Sequence, residues 1–277
     1  MTASKAHPMR PYVGRLTAVE GLAAGIKLFQ VELTEPEGQQ AFADYEPGQF
    51  AFVSAFGAGE APFGITSTPG RGPILEFAIN ALGYVTDTLH DLEAGDPIGV
   101  RGPLGNWFPM DEIVGRDIVI LGGGIGAAPL RPVIHTILDS RDEYGHVTIL
   151  WAARTPDLLV FTDEFDDWRA APDIELHLTV DRGDETWSGN VGLITELLQQ
   201  VAPLPEDAVT ITCGPPVMIK FVLMDLASLG FGPEQMVVTL EGKMKCGIGK
   251  CGRCNVGPKY ICTDGPVFSF AELRALP

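Results

Sequence analysis

The chain has 277 residues, of which 45% are hydrophobic, so it is long enough for two ordinary domains and a small appendage. A net charge of -17 argues against nucleic-acid binding, which normally relies on clustered lysine and arginine. Glycine, proline or charge interrupts every apolar run well before the roughly 20 residues of a membrane-spanning helix. The N-terminal segment has positive charge but no following apolar block, which is not a secretory pattern, and we expect a cytoplasmic protein.

The first region, residues 11–103, consists of short β-branched or alternating runs separated by glycine and proline turns. Several short strands at this spacing predict a small antiparallel barrel or sandwich. One helix is expected over residues 86–92, after a turn at Gly83. We therefore assign residues 1–110 to an N-terminal antiparallel β-barrel domain.

The second region, residues 117–232, alternates between apolar strands and amphipathic helices. The expected strands are DIVILG, HVTILWAA, IELHLTV and AVTITCG, and the expected helices are PLRPVIHTILDS, GLITELLQQ and VMIKFVLMDLASLG, with another near residues 162–168. Strands that alternate with helices predict a doubly wound α/β domain with a parallel sheet. We assign residues 111–235 to this domain.

The remaining tail, residues 236–277, contains four of the five cysteines within seventeen residues. These are Cys246, Cys251, Cys254 and Cys262, in the spacing C-x4-C-x2-C-x7-C. The first three match the plant-type ferredoxin loop that holds a [2Fe-2S] cluster, whereas structural zinc sites more often use two short knuckles. Zinc and unmetallated thiols remain as alternatives. Because the tail is too small to fold by apolar burial alone, we expect a metal to hold it together.

A glycine-rich turn follows the strand DIVIL and opens a helix, which is the context of a phosphate-binding turn. The residues expected to bind the pyrophosphate of a dinucleotide are Gly122, Gly123, Gly124, Ile125, Gly126 and Pro129. The turn is not a strict G-x-G-x-x-G motif. The alternative is a tight structural connection between strand and helix.

A second turn, Cys213–Gly214–Pro215, also lies between an apolar strand and a helix. Ligands of open α/β sheets bind at the carboxyl ends of the strands, so we expect these residues near a nicotinamide. A buried cysteine that only fills space is the alternative for Cys213. Arg154 and Arg182 each follow a strand, where an arginine can meet the 2'-phosphate of NADP; NAD remains the alternative, as do solvated surface arginines.

A β-domain, a doubly wound domain with GGGIGAAP and CGPP, and a ferredoxin-like loop together resemble the ferredoxin-NADP reductase superfamily. The segment MKCGIGKCGRCNVGPKYICTDGPVFSF is similar to the C-terminus of two families. These are the gamma (flavin) subunit of cytoplasmic NAD(P)-linked [NiFe] hydrogenases, the sulfhydrogenases, and the corresponding reductase subunit of anaerobic sulfite reductase. The electron-transfer subunit of dihydroorotate dehydrogenase B is also similar, but the seven-residue gap before the last cysteine disfavours it.

The resemblance implies FAD in the β-domain. The superfamily's Arg-x-Tyr-Ser or Arg-Pro-Phe-Ser motif corresponds to residues 61–67, where Ala61 replaces the arginine and Gly64 replaces the serine. A second motif, Gly-x-x-Ser or Gly-x-x-Thr, matches residues 83–86. The residues expected to contact FAD are Phe63, Gly64, Ile65, Thr66, Ser67, Gly83, Tyr84, Val85 and Thr86.

The combination predicts an oxidoreductase subunit that converts between two-electron and one-electron transfer, with FAD, a [2Fe-2S] cluster and NADP or NAD. Because the reactive atoms belong to cofactors, no catalytic side chain is expected to be indispensable. The expected partners are an iron-sulfur subunit and [NiFe] hydrogenase subunits, with no nucleic acid and no membrane. The alternatives are the reductase subunit of anaerobic sulfite reductase and a non-redox assembly subunit that binds nucleotide and zinc.

Overall fold

The computed structural model describes residues 7–276. Residues 1–6, which belong to the N-terminal segment considered above, and residue 277 lie outside the described residues. The elements of the first domain are β1 (Tyr12–Ala23), β2 (Ile26–Leu33), α1 (Pro36–Ala41), β3 (Phe50–Ala55), β4 (Gly59–Gly64), β5 (Leu75–Asn80), α2 (Tyr84–His90) and β6 (Pro97–Leu104).

The first domain is an antiparallel barrel. Its six strands pair in the order β4-β3-β6-β1-β2-β5, and every pair is antiparallel. Two hydrogen bonds connect the chain just after β4 to β5: the Thr66 N–H donates to the Glu76 carbonyl at 2.9 Å, and the Glu76 N–H donates to Ser67 Oγ at 3.1 Å. These bonds bring the two edges of the sheet together and confirm the predicted antiparallel barrel.

The second domain is a doubly wound α/β unit, as predicted. Its elements are β7 (Asp117–Gly123), α3 (Arg131–Asp139), β8 (Val147–Ala153), α4 (Phe165–Ala170), β9 (Ile174–Val180), β10 (Asn190–Val191), α5 (Ile194–Val201), β11 (Ala208–Cys213) and α6 (Pro216–Ser228). The strands run parallel in the order β10-β9-β8-β7-β11. All seven residues of β8 are buried because helices cover both faces of a parallel sheet.

Three elements differ from the prediction: the starts of α3 and α2, and the additional strand β4. A 3-10 helix over Gly124–Leu130 precedes α3, so the glycine-rich turn does not open directly into an α-helix. Helix α2 begins two residues before Thr86, because the Thr86 hydroxyl accepts the N–H groups of Leu82 and Gly83 and thereby caps the helix start. Strand β4 is not among the strands that the sequence pattern predicts.

The tail joins the sheet of the second domain. Its elements are β12 (Met236–Thr239), β13 (Asn255–Val256), β14 (Lys259–Tyr260), α7 (Ile261–Asp264), β15 (Val267–Ser269) and α8 (Phe270–Arg274). Strand β12 pairs in parallel with β11, and β15 pairs antiparallel with β12. Among residues 7–276, none of the helices has the length and apolar character needed to cross a bilayer.

Asn106 provides a further attachment for the tail. Its amide nitrogen donates to the carbonyls of Val267 at 2.7 Å and Asp264 at 3.1 Å, and its amide oxygen accepts the Val267 N–H at 2.9 Å. The expected metal is therefore not the tail's only attachment. Backbone pairing with β11 and this side chain also fix the tail.

A half-buried charge network joins the barrel to the second domain. Arg131, at the start of α3, pairs with Glu76 of β5 and, at 2.6 Å, with Glu164. His135 Nε2 lies 2.7 Å from the second Glu164 oxygen. Burial opposes ionisation of Glu164, but its bonds to His135 and Arg131 prevail and lower its pKa to about 2. The Arg131 guanidinium thus fixes how the two domains meet.

We expect Glu164→Gln to lower the free energy of unfolding at pH 7 by about 1.5 kcal/mol, because it removes a charge-assisted hydrogen bond. Since the native pKa of Glu164 lies below its ordinary value of 4.5, its ionised form stabilises the fold above pH 4.5, and this contribution disappears as the pH falls towards 2. The variant should therefore lose less stability than the wild type between pH 4.5 and 2.

Urea unfolding across this pH range measures the effect. Asp139→Asn is the matched control, because Asp139 pairs with Arg71 on the surface and should contribute less. Equal pH profiles for Glu164→Gln and the wild type would contradict the assignment.

Candidate functional site

A cleft of about 320 Å³ opens where the barrel, the second domain and the tail meet. Residues from all three parts line it, including Pro62, Phe63 and Gly64 from the barrel, Ile125, Gly126, Pro129 and Cys213 from the second domain, and Leu240, Glu241 and Met244 from the tail. Its walls are mainly apolar, as is usual for cofactor sites. The fold thus places the first flavin motif opposite the two turns of the second domain.

The barrel wall of the cleft contains only part of the first flavin motif. Phe63 and Gly64 line the cleft, whereas Ile65, Thr66 and Ser67 are buried and do not. The Ser67 hydroxyl lies 2.7 Å from the Tyr45 hydroxyl, and Thr66 Oγ1 has no hydrogen-bond partner among residues 7–276. A Cβ atom on Gly64 would lie 2.8 Å from Pro129 Cγ, so glycine permits the close approach of the two domains.

The second flavin motif lies at the start of α2. Thr86 lines the cleft, but its hydroxyl already accepts the N–H groups of Leu82 and Gly83 and donates to the Gly83 carbonyl. The first helical bond runs from the Asp87 N–H to Gly83, so the N–H groups of Tyr84, Val85 and Thr86 precede the helical ladder. Gly83, Tyr84 and Val85 are not among the residues that line the cleft.

The two turns of the second domain pack directly against each other. Strand β7 lies between β8 and β11, the point at which the strand order reverses, and Gly122 is paired with Cys213. A Cβ atom on Gly126 would lie 2.5 Å from Gly214 Cα, and one on Gly122 would lie 2.7 Å from the Trp151 ring. Packing therefore requires glycine at both positions.

The remaining residues of the two turns differ in their surroundings. A Cβ atom on Gly123 would collide with Met218, whereas Gly124 has a φ of +56° and open space beside it. Gly214 and Pro215 do not line the cleft. The alternative of a tight structural connection thus accounts for several of these glycines. Gly122, Gly123 and Gly124 are not among the residues that line the cleft, whereas Ile125, Gly126 and Pro129 are.

Cys213 lies at the base of the cleft, where β11 ends. Its side chain is buried, and Thr239 Oγ1 donates to its sulfur at 2.7 Å. Burial raises the pKa of Cys213 to about 12, so the thiol is neutral at physiological pH. Glu241 lines the cleft near this thiol, and partial burial raises its pKa. Sequence reasoning missed Glu241 because no motif contains it.

Arg154 and Arg182 are neighbours at the same edge of the sheet. The Arg182 N–H donates to the Arg154 carbonyl at 2.9 Å, where β8 and β9 end. Both side chains are exposed, and neither forms an ion pair within the described part of the chain. Their side chains do not line the cleft; the two residues are joined through their backbones at the carboxyl edge of the sheet.

The four tail cysteines lie on one loop and the short helix α7 that follows it. Cys246 is half-buried, Cys251 is exposed, and Cys254 and Cys262 are buried. Within residues 7–276, no three His, Cys, Asp or Glu side chains converge as they would around a single ion. Four thiols are the number that a [2Fe-2S] cluster requires, and their spacing favours that cluster over one zinc ion.

The loop backbone turns its N–H groups towards sulfur. The N–H groups of Lys250 and Cys251 point at Cys246 Sγ from 3.3 and 3.4 Å, and the Gly249 N–H points at Cys262 Sγ from 3.3 Å. Desolvation opposes ionisation of Cys246, but these backbone bonds, with one from Ile248, lower its pKa to about 6. The loop backbone therefore stabilises negative charge on the Cys246 sulfur, whereas desolvation raises the pKa of Cys262 to about 11.

Two family models match the chain: the oxidoreductase NAD-binding domain over residues 120–223, and the iron-sulfur cluster binding domain of dihydroorotate dehydrogenase B over residues 241–274. The chain is 38% identical over 270 residues to sulfhydrogenase 1 subunit gamma of Pyrococcus furiosus, covering 95% of this chain and 92% of that one. The chain belongs to the sulfhydrogenase gamma subunit family. It is an electron-transfer oxidoreductase subunit with an NAD-binding and an iron-sulfur cluster-binding domain.

Two further comparisons show the breadth of the similarity. A probable dihydroorotate dehydrogenase B (NAD(+)) electron transfer subunit of Methanocaldococcus jannaschii is 37% identical over 234 residues, covering 83% of this chain and 82% of the relative. The structure of an NADH-dependent reduced ferredoxin-NADP oxidoreductase, solved to study flavin-based electron bifurcation, matches with a TM-score of 0.76 at 25% identity, over 94% of this chain and 88% of that one. The predicted membership of the ferredoxin-NADP reductase superfamily is confirmed.

These findings also decide between the alternatives left by the sequence. The seven residues between Cys254 and Cys262 argue against similarity to dihydroorotate dehydrogenase B. The iron-sulfur domain of that enzyme nevertheless matches the tail. The sulfite reductase alternative is not favoured. We therefore base the proposed function on the sulfhydrogenase gamma subunit family.

We expect Gly247→Ala to lower cluster content sharply and Gly252→Ala to lower it little. Both glycines have a φ near +70°, which costs an alanine about 1 kcal/mol. Only at Gly247 would the new methyl also collide, 2.7 Å from the Phe52 ring and 2.8 Å from Leu104. Iron and acid-labile sulfide per chain measure the difference. Equal losses in the two variants would show that packing against the barrel does not shape the loop.

Proposed function

We propose that this chain is the cytoplasmic electron-transfer subunit of a [NiFe] hydrogenase, exchanging hydride with NADPH or NADH through FAD and single electrons through a [2Fe-2S] cluster. A bound flavin accepts two electrons as hydride and releases them one at a time, and the cluster carries one. The observation that supports this role most directly is the continuity of the tail. Leu240, Glu241 and Met244 line the cleft, and the chain then continues directly to Cys246.

The residues of the cleft are arranged to hold a flavin between the barrel and the second domain. Phe63 offers an apolar face, and Gly64 leaves room for the second domain to approach. The N–H groups at the start of α2 take the place of the missing arginine as phosphate donors. On the opposite wall, Cys213 contributes a neutral sulfur, kept protonated by burial and hydrogen-bonded to Thr239, beside which we expect the nicotinamide to bind.

The outer edge of the cysteine loop is suited to docking a partner subunit. Cys251 is the exposed cysteine of the loop, and four exposed cations surround it in sequence: Lys243, Lys245, Lys250 and Arg253. The tail contains six lysines and arginines against three acidic residues, whereas the whole chain has 19 against 36. A partner with an acidic surface would therefore be attracted to this edge in preference to the rest of the molecule.

Cys251→Ser is expected to abolish electron transfer to the partner subunit while sparing reduction of the flavin by NADPH or NADH. The variant should still bleach its flavin absorbance when mixed anaerobically with NADPH or NADH, because the cleft is unchanged. It should lose the electron paramagnetic resonance signal of the reduced cluster and electron transfer to the co-purified partner subunit. Cys213→Ser is the control for a cysteine outside the loop and should keep the wild-type iron content. Undiminished transfer to the partner by Cys251→Ser would refute the proposed route.

For the nicotinamide, we propose a preference for NADP, because Arg154 and Arg182, whose backbones are hydrogen-bonded, both have exposed side chains at the carboxyl edge of the sheet. Replacing both by alanine should raise the KM for NADPH about tenfold or more, since a charge-assisted contact is worth about 1.5–3 kcal/mol, and should leave the KM for NADH nearly unchanged. Steady-state reduction of a dye acceptor measures both constants. Equal changes for the two nucleotides would contradict a role in recognising the 2'-phosphate.

A further inference from the structure

Arg101 reaches from the barrel into the cysteine loop. It belongs to β6, and only 3% of its side chain is exposed. Its Nη1 atom donates to the carbonyl of Cys246, the first cysteine of the loop, at 2.9 Å. A side chain of the predicted FAD domain is therefore bonded to the backbone of a predicted cluster ligand, 145 residues away in the chain.

Three other contacts fix the orientation of this guanidinium. Nη2 and Nε donate to the two carboxylate oxygens of Glu60 at 2.6 and 3.2 Å, so this edge of the group faces β4. The plane lies over the Phe52 ring, 4.3 Å from its centroid. The remaining nitrogen, Nη1, is thereby directed at Cys246. Such a two-sided contact requires the rigid planar fork of arginine.

Apolar residues of the barrel pack against the cysteine loop around the contact between Arg101 and Cys246. Phe50 and Phe52 of β3 pack against Cys254, Ile261 and Cys262, so the barrel wall supports the loop over several residues. Removing a guanidinium from water is costly unless it is paired and hydrogen-bonded. Because Glu60 and the Cys246 carbonyl supply these partners, the loop and the barrel can adopt this charged contact only together.

We propose that Arg101 is a positioning residue for the [2Fe-2S] loop, which holds the Cys246 peptide against the barrel and raises the reduction potential of the cluster. This inference rests on the proposed function. Reduction adds one electron, and hence one negative charge, to the cluster, while the electron donor is the reduced flavin. A fixed cation beside a ligand stabilises the reduced form more than the oxidised form, since cluster potentials respond to nearby charge and hydrogen bonds.

The test uses the full chain, purified anaerobically, with Arg101→Gln and Arg101→Lys. Arg101→Gln should retain FAD at the wild-type ratio, hold less iron and sulfide, and show a cluster whose equilibrium constant for reduction is at least tenfold smaller. For a one-electron couple this corresponds to a fall in potential of about 59 mV, measured by redox titration monitored with electron paramagnetic resonance. Arg101→Lys keeps the charge and should recover most of the potential while recovering less of the iron content.

Two further variants keep the inference open to refutation. Arg71→Gln removes a surface arginine that pairs with Asp139 and should leave the potential unchanged. Glu60→Gln removes the countercharge of Arg101 and should raise the reduction potential of the cluster. If Arg101→Gln does not fold, this variant tests whether the charge of Arg101 acts on the cluster. Wild-type potential and iron content in Arg101→Gln, or an unshifted potential in Glu60→Gln, would overturn the inference. A wild-type chain without iron and sulfide would instead refute the proposed function.

Discussion

Burial of paired guanidinium groups is the constraint on which the arrangement of the three parts depends. Arg131 joins the second domain to the barrel through Glu76 and Glu164, and Arg101 joins the barrel to the cysteine loop through Glu60 and the Cys246 carbonyl. Each charge is tolerable in the interior only when its partners are in place. The two contacts therefore select one relative position of the parts.

This arrangement gives the cleft its chemical character. The barrel supplies an aromatic wall, the second domain supplies two close-packed turns and a neutral thiol, and the tail closes the third side before entering the cysteine loop. The tail lies on the sheet edge next to β11, the strand that ends at Cys213, so it runs along the cleft before it reaches the cysteine loop. Asn106 and strand β15 hold the tail in that position.

Much of this architecture follows from local sequence patterns. The cysteine spacing, the alternation of strands and helices, and the strand runs of the barrel are all local, and they led to the correct fold class and family. The contacts that assemble the parts are not local: Arg101 meets a backbone carbonyl 145 residues away, and Asn106 meets Val267 161 residues away. Nothing in the neighbouring sequence of such residues marks them. The glycine turn is predicted from a binding motif, but close packing against Trp151, Met218 and Gly214 also requires glycine there.

An anaerobic reductive titration shows whether one chain converts hydride into single electrons. The purified chain should show flavin and iron-sulfur absorbance. Full reduction should consume about 1.5 equivalents of NADPH or NADH per chain, because a flavin takes two electrons and the cluster takes one. The signal of a reduced [2Fe-2S] cluster should appear in electron paramagnetic resonance as the flavin bleaches. A flavin that bleaches with one equivalent while no cluster signal develops would contradict the account.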